Sequence, residues 1–173
     1  QSGTGYEKNK NIYFYNNVVR NTVGPGVQIQ GVDSVYIFNN TFIQLDSTGD
    51  GDGTYPWNWS IYGSTNNPAT MVIRNNISLT SISATTNYVI RAYGNAIMSN
   101  NVVYRLDGST YLIYPYDPNY TAPINSNPQF VNPNGTTPES FKLQSTSPAR
   151  DAGTSLSGYF TTDRDGVTRP QGT

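Results

Sequence analysis

The side chains with the clearest chemical potential in this sequence fall in one stretch, QLDSTGDGDGTYPWNW, at residues 44 to 59. Asp46, Asp50 and Asp52 are separated by Gly-rich backbone that could fold three carboxylates around one hard cation, and oxygen ligands of this kind suit Ca2+. The spacing falls short of an EF-hand, since no Glu arrives at the closing position, and an Asp-Gly turn in water is the plainer alternative. Tyr55, Trp57 and Trp59 offer flat apolar faces with polar edges, suited to stacking on sugar rings; pinning the loop to the body of the protein is the competing role. A carboxylate pair for hydrolysis could come from Asp46, Asp50 or Asp52 with Asp33, although nothing in the spacing brings them together. The chain contains neither Cys nor His, which removes thiol nucleophiles, imidazole bases and most zinc or copper sites.

Such side chains need a scaffold, and repetition in the sequence supplies one. NIYFYNNVVRNT from Asn11, SVYIFNNTFIQL from Ser34, TMVIRNNISLTS from Thr70 and NAIMSNNVVYRL from Asn95 all carry an Asn pair at one place. The first Asn of each pair stands at Asn16, Asn39, Asn75 and Asn100, so successive pairs are 23, 36 and 25 residues apart, the middle step carrying the insertion. Before each pair, Ile12 and Phe14, Val35 and Ile37, Met71 and Ile73, and Ala96 and Met98 share one face of a period-two pattern, and the first Asn falls on that face too. The expectation is therefore an internal column of Asn16, Asn39, Asn75 and Asn100. Their amides would stack one strand spacing apart, about 4.8 Å, donating and accepting along the column. The second Asn of each pair, which tolerates left-handed backbone, would turn the chain.

Between the pairs lie further short strands, GVQIQG at 26 to 31, WSIYG at 59 to 63, YVIRAYG at 88 to 94 and YLIYPYD at 111 to 117. Their outward positions, Gln28 and Gln30, Ser60 and Tyr62, Arg91 and Tyr93, make a polar, hydrogen-bonding strip. A third strand follows each Asn pair, as in VVR and ISL. Three strands and three turns per repeat describe an all-β fold, a parallel β-solenoid whose repeats bury themselves only against their neighbours. A sandwich or jelly roll is the alternative, but it has no reason to repeat an Asn pair in register. Charged residues make up only 12% of the chain, as expected of a polar-surfaced β-solenoid. The net charge of −1 argues against nucleic acid or an anionic membrane surface as partner, and no apolar run approaches the length of a membrane span.

These repeats resemble the right-handed parallel β-helix family typified by pectate lyases, which carries an asparagine ladder at the bend between its second and third sheets. By that resemblance GVQIQG belongs to a first sheet, VYIFNN to a second, and the residues after Asn40 to a third. The resemblance covers residues 9 to about 117 and is specific for architecture rather than activity. It implies an extracellular or cell-surface protein acting on, or binding, a polysaccharide or oligosaccharide in a groove beside the first sheet, with Gln28, Gln30, Tyr55, Trp57, Trp59, Tyr62 and Tyr93 as binding residues. Lyases of this family use Arg or Lys as the base, often with Ca2+, and its hydrolases use clustered Asp. Arg91 is then the best-placed base, with Arg74 one sheet round; a free guanidinium is a poor base, so a salt bridge or a contact to a substrate carboxylate competes with that role. A non-catalytic carbohydrate-binding or surface-structural module is the other reading.

The repeats are expected to occupy residues 1–117, and residues 118–173 a tail packed on the same domain. QSGTGYEKNKN is too polar and short to cap an open solenoid, so further repeats are expected upstream. The tail resembles the C-terminal region of secreted bacterial β-helix proteins through PQFVNP, FKL, SPARDAG and DRDGVTRP. It is expected to lie along the repeats and cover the last one. Tyr13, Tyr15, Tyr36 and Phe38, outward on the second-sheet strands, form an aromatic ladder whose expected role is structural.

Overall fold

Runs such as Ile12–Tyr15 and Ser34–Phe38 alternate side chains with period two and are rich in β-branched and aromatic residues, the composition of strands. The computed structural model describes residues 9–22, 24–45, 59–63, 70–81, 88–93, 96–110, 112–114 and 120–169. Its strands come in sets. β1 (Ile12–Tyr15), β2 (Val18–Arg20) and β3 (Val27–Ile29) form the first set, and β4 (Ser34–Phe38), β5 (Thr41–Gln44) and β6 (Ile61–Gly63) the second. β7 (Thr70–Arg74), β8 (Ile77–Thr80) and β9 (Ile90–Ala92) follow, then β10 (Ala96–Ser99) and β11 (Val102–Arg105). Corresponding strands pair with one another: β3-β6-β9 make the first sheet, β1-β4-β7-β10 the second and β2-β5-β8-β11 the third. Every one of these pairings is parallel. Apart from a 3₁₀ turn at Pro138–Phe141 there is no helix among the described residues. The chain is thus all-β with three short parallel sheets, as its repeats predict.

Register carries the repeat into the core. Ile12, Val35, Met71 and Ala96 lie opposite one another across the second sheet, as do Phe14, Ile37, Ile73 and Met98. Together with Phe42 and Val103 of the third sheet and Ile29, Ile61 and Ile90 of the first, they form one apolar cluster between the three sheets. Ile37, Ile61, Ile73, Ile90 and Met98 are fully buried, each side chain contributing about 1.5–3 kcal/mol relative to exposure. The pattern continues weakly beyond β11, and past the expected boundary at 117, through parallel bridges Ile90 to Ile113, Met98 to Tyr120 and Val102 to Ile124.

The asparagine pairs do form corners, but the roles of their two members are the reverse of those predicted. Asn16, Asn39, Asn75 and Asn100 adopt the left-handed conformation, with φ of 58, 51, 58 and 54°. One left-handed residue breaks the alternation of strand geometry, so the following residue, and not this one, turns inward. Asn40, Asn76 and Asn101 are accordingly buried. Asn17 Nδ2 donates to Asn40 Oδ1, Asn40 Nδ2 to Asn76 Oδ1 and Asn76 Nδ2 to Asn101 Oδ1, each at 3.0 Å. The backbone N–H groups of Asn17, Asn40 and Asn76 donate to the same three oxygens at 3.1, 3.1 and 3.0 Å. The second hydrogen of each amide reaches a strand carbonyl: Asn40 Nδ2 that of Phe14, Asn76 Nδ2 that of Ile37 and Asn101 Nδ2 that of Ile73, at 2.8, 2.9 and 2.9 Å. Buried carboxamides are stable only when satisfied in this way.

The outer members hold the tail. Asn75 clasps Thr154 in both directions, Thr154 N–H donating to Oδ1 at 2.9 Å and Nδ2 donating to the Thr154 carbonyl at 2.8 Å. Asn100 Nδ2 donates to the carbonyl of Ala152 at 3.1 Å and Asn16 Nδ2 to that of Thr162 at 3.3 Å. Residues 152 to 162 therefore run from the last set of strands back to the first, a longer course than covering the final repeat alone. On the way Phe160 stacks on Tyr15, with ring centres 4.8 Å apart, and Tyr159 meets Phe38 at 4.9 Å and Tyr36 at 5.5 Å. Leu156 closes a small apolar cluster with Phe38 and Val72. The aromatic ladder on the second sheet is the seat of this tail. Earlier in the tail, Phe130 is buried against Ile43 and Leu79 on the third sheet, with Phe141 and Leu143 packed beside it.

Candidate functional site on the first sheet

The first sheet is narrow because its strands are short, and it comes close to the second: a Cβ added to Gly63 would stand 2.7 Å from Met71 Cε. Its inward residues, Ile29, Ile61 and Ile90, anchor the backbone in the core, and so fix the alternate side chains on the other face. Register lines up Gln28 with Tyr62 and Tyr62 with Arg91. The bridge from Ile90 to Ile113 sets Tyr114 beside Arg91. A row of four side chains, Gln28, Tyr62, Arg91 and Tyr114, thus crosses the sheet.

Arg91 is the centre of the row. Its guanidinium carbon lies 4.9 Å from the ring centres of Tyr93 and Tyr114 and 5.5 Å from that of Trp59. Nη2 donates to the Tyr93 hydroxyl. Nε is buried with no hydrogen-bond partner among the described residues. Aromatic faces hold a cation by their quadrupole, and a guanidinium so held offers N–H donors, whereas a base would have to be the neutral guanidine. The surroundings of Arg91 therefore suit an electrostatic or hydrogen-bonding contact to a carboxylate or hydroxyl better than proton abstraction.

The other candidates divide sharply. Gln28 and Gln30 are exposed, and Tyr62 and Tyr93 are half-buried. Trp59 is only 3% exposed, and its ring stacks on Tyr62 at 4.3 Å, so Tyr62 takes the place that a sugar would need on that face. Ser60, expected on the outer strip, is buried. Tyr55 and Trp57, and the three carboxylates Asp46, Asp50 and Asp52, lie outside the described residues. Asp33 sits at the entry to β4, where its backbone bonds to Asn9 and Thr70. Arg74 ends β7 on the second sheet, paired with Phe38 and Ser99, remote in register from the first-sheet row.

Two contributors escaped the sequence reading. Tyr114 packs on Arg91, and Tyr88 meets the Tyr114 ring edge-on at 4.9 Å. Tyr114 occupies the outward period-two place in YLIYPYD, so the signal was present but weak. A second cation also went unremarked: Arg105, whose side chain is 0% exposed, grips Asp107 through Nε at 3.0 Å and Nη2 at 2.6 Å. That contact holds the Asp107 carboxyl below its ordinary range, helped by the backbone N–H of Ser109.

Fold and site together define an all-β protein of three parallel sheets, with a polar and aromatic row across the first. No protein-family model, curated protein or solved structure matches the chain.

Proposed function

We propose that this chain is part of an extracellular polysaccharide-degrading protein of the right-handed parallel β-helix class, a lyase or glycosidase that lays its sugar chain along the first sheet. Strand triplets that each feed the same three parallel sheets are the sequence of elements such a helix requires. The observation that carries the reading is the in-register row Gln28, Tyr62, Arg91 and Tyr114. It combines amide donors and acceptors, aromatic rings and one fixed cation at intervals of about 4.8 Å, the mixture a polyhydroxylated chain with carboxylate substituents would engage.

A non-catalytic binding module is the second reading, favoured by the three rings around Arg91, which fit that side chain for holding a ligand. The two separate in one experiment. The protein is incubated with pectate, alginate and neutral glycans while reducing ends and the ultraviolet absorbance of unsaturated uronates are followed, with binding measured in parallel by calorimetry. Release of product that disappears in Arg91→Ala supports the degrading enzyme. Affinity without product assigns the binding module, and the absence of both for every glycan overturns the proposal.

A further inference from the structure

On the third sheet, Arg20, Ile43, Leu79 and Tyr104 form the outward row, and the tail covers it through Phe130. Phe130 fills only part of the space. Beside it remains a cavity of 420 Å³, within the range of about 300–1,000 Å³ typical of small-molecule sites. Leu45, Leu79, Leu106 and Phe130 supply its apolar lining.

Four carboxamide residues from the tail, Asn127, Gln129, Asn134 and Gln144, line the same cavity. Three of their side chains are pinned at one end. Asn127 Oδ1 accepts from the Gln129 N–H at 2.9 Å, Gln129 Oε1 from the Thr146 hydroxyl at 2.6 Å, and Gln144 Nε2 donates to the Phe130 carbonyl at 3.0 Å. The other ends, Asn127 Nδ2, Gln129 Nε2 and Gln144 Oε1, have no partner among the described residues. Gln129 itself is held at φ 53°, a left-handed conformation uncommon for its type. The bond from Gln144 N–H to its carbonyl at 2.9 Å helps to keep it there. Backbone held in a sparsely populated region by its surroundings is a recurrent mark of binding sites.

We propose that this cavity is a second, separate binding site, for a neutral pyranose sugar. No ionisable side chain lines it, and Arg20 on the same sheet turns Nη2 to the Asn134 carbonyl at 3.1 Å, so the cavity wall itself offers a charged ligand no counter-ion. A wholly apolar ligand would leave the free carboxamide ends desolvated and unpaired. A neutral pyranose has an apolar face for the leucines and Phe130, and hydroxyls that both donate and accept for the two free amide nitrogens and the one free amide oxygen. The site stands apart from the first-sheet row and does not rest on that reading.

The test is a titration of the isotope-labelled protein with methyl glycosides of glucose, galactose and mannose, with glucuronate and hexanediol as charged and apolar comparisons, followed by NMR. Saturable shifts are expected at the Leu79 and Leu106 methyls and at the side-chain amides of Gln129 and Gln144, for at least one neutral glycoside. Leu106→Trp, which fills the mouth from an exposed position, should weaken that binding at least tenfold. Shifts confined to Tyr62 and Tyr93, equal responses to glucuronate or hexanediol, or no response at the cavity would overturn the proposal. If Leu106→Trp fails to fold, the shift map of the unmodified protein decides alone.

Discussion

Asn40 and Asn76 stand 36 residues apart in the chain, yet both the backbone N–H and the Nδ2 of Asn40 donate to the one Oδ1 of Asn76, at 3.1 and 3.0 Å. That forked bond joins the second and third sets of strands across the long insertion, which leaves the second set between β5 and β6. It is the middle link of a column that begins at Asn17 and ends at Asn101.

Removing the middle of the column should cost more than removing its end. Asn76→Ala leaves two donors on Asn40 and the carbonyl of Ile37 without their partner in a buried setting, each worth about 1–3 kcal/mol. A loss of about 3 kcal/mol or more is expected in urea denaturation. Asn17→Ala, at a half-buried position, should lose about 1 kcal/mol. Equal losses at the two sites would contradict the column as an energetic unit.

The outer asparagines separate backbone from side chain. At Asn75, with φ 58°, Gly accepts the conformation and Ala does not. Both substitutions lose the two bonds to Thr154. Asn75→Ala should therefore be less stable than Asn75→Gly by about 1 kcal/mol, measured by thermal unfolding. The reverse order would mean that the side chain alone matters there.

Phe160→Ala uncovers Tyr15 and one side of Phe38. Phe160 is half-buried, so the expected cost is about 2 kcal/mol, below that of a full core aromatic. The more specific readout is limited proteolysis, in which cleavage between residues 150 and 165 should accelerate while the strand repeats stay protected. Uniform degradation would show that tail and repeats unfold as one.

Acid should weaken the protein through Asp107. Its carboxyl titrates below the ordinary value of 3.8 because Arg105 bonds to it, so its contribution is complete above that value and is lost as pH falls through the lower, folded-state value. Thermal stability should decline below pH 3.8, and in Asp107→Asn that part of the decline should flatten. At neutral pH the same variant should lose about 1–2 kcal/mol, because buried Arg105 exchanges a charge-assisted contact to a partly exposed carboxylate for one to a neutral amide. An unchanged acid profile in Asp107→Asn would remove this pair from the account.

How much of the site could be read beforehand differs residue by residue. Gln28, Tyr62 and Arg91 were placed on one face by period two alone, and register confirms their alignment. Trp59 was not legible: its aromatic ring suits a sugar equally well by type, and only packing shows it stacked beneath Tyr62. Ser60 was not legible either: its backbone bonds to Val27 and Val89 as a strand residue should, and only the packing around it shows that its side chain is buried. The cavity under the tail has no linear signature at all, since its lining comes from four separate segments of the chain.

Taken alone, the order of residues determined the repeat, the three-strand unit and the all-β parallel class, because recurrence and period-two alternation are properties of a one-dimensional string. Which asparagine of each pair faces inward was decided only in three dimensions. The N–H groups of Asn16, Asn39 and Asn75 are taken up by Phe38, Arg74 and Ser99 of the neighbouring set, and the positive φ at those corners reverses the alternation. The course of the tail was settled the same way, by the aromatic face and the row of outer asparagines, Asn16, Asn75 and Asn100, that the paired strands create and that no single repeat possesses.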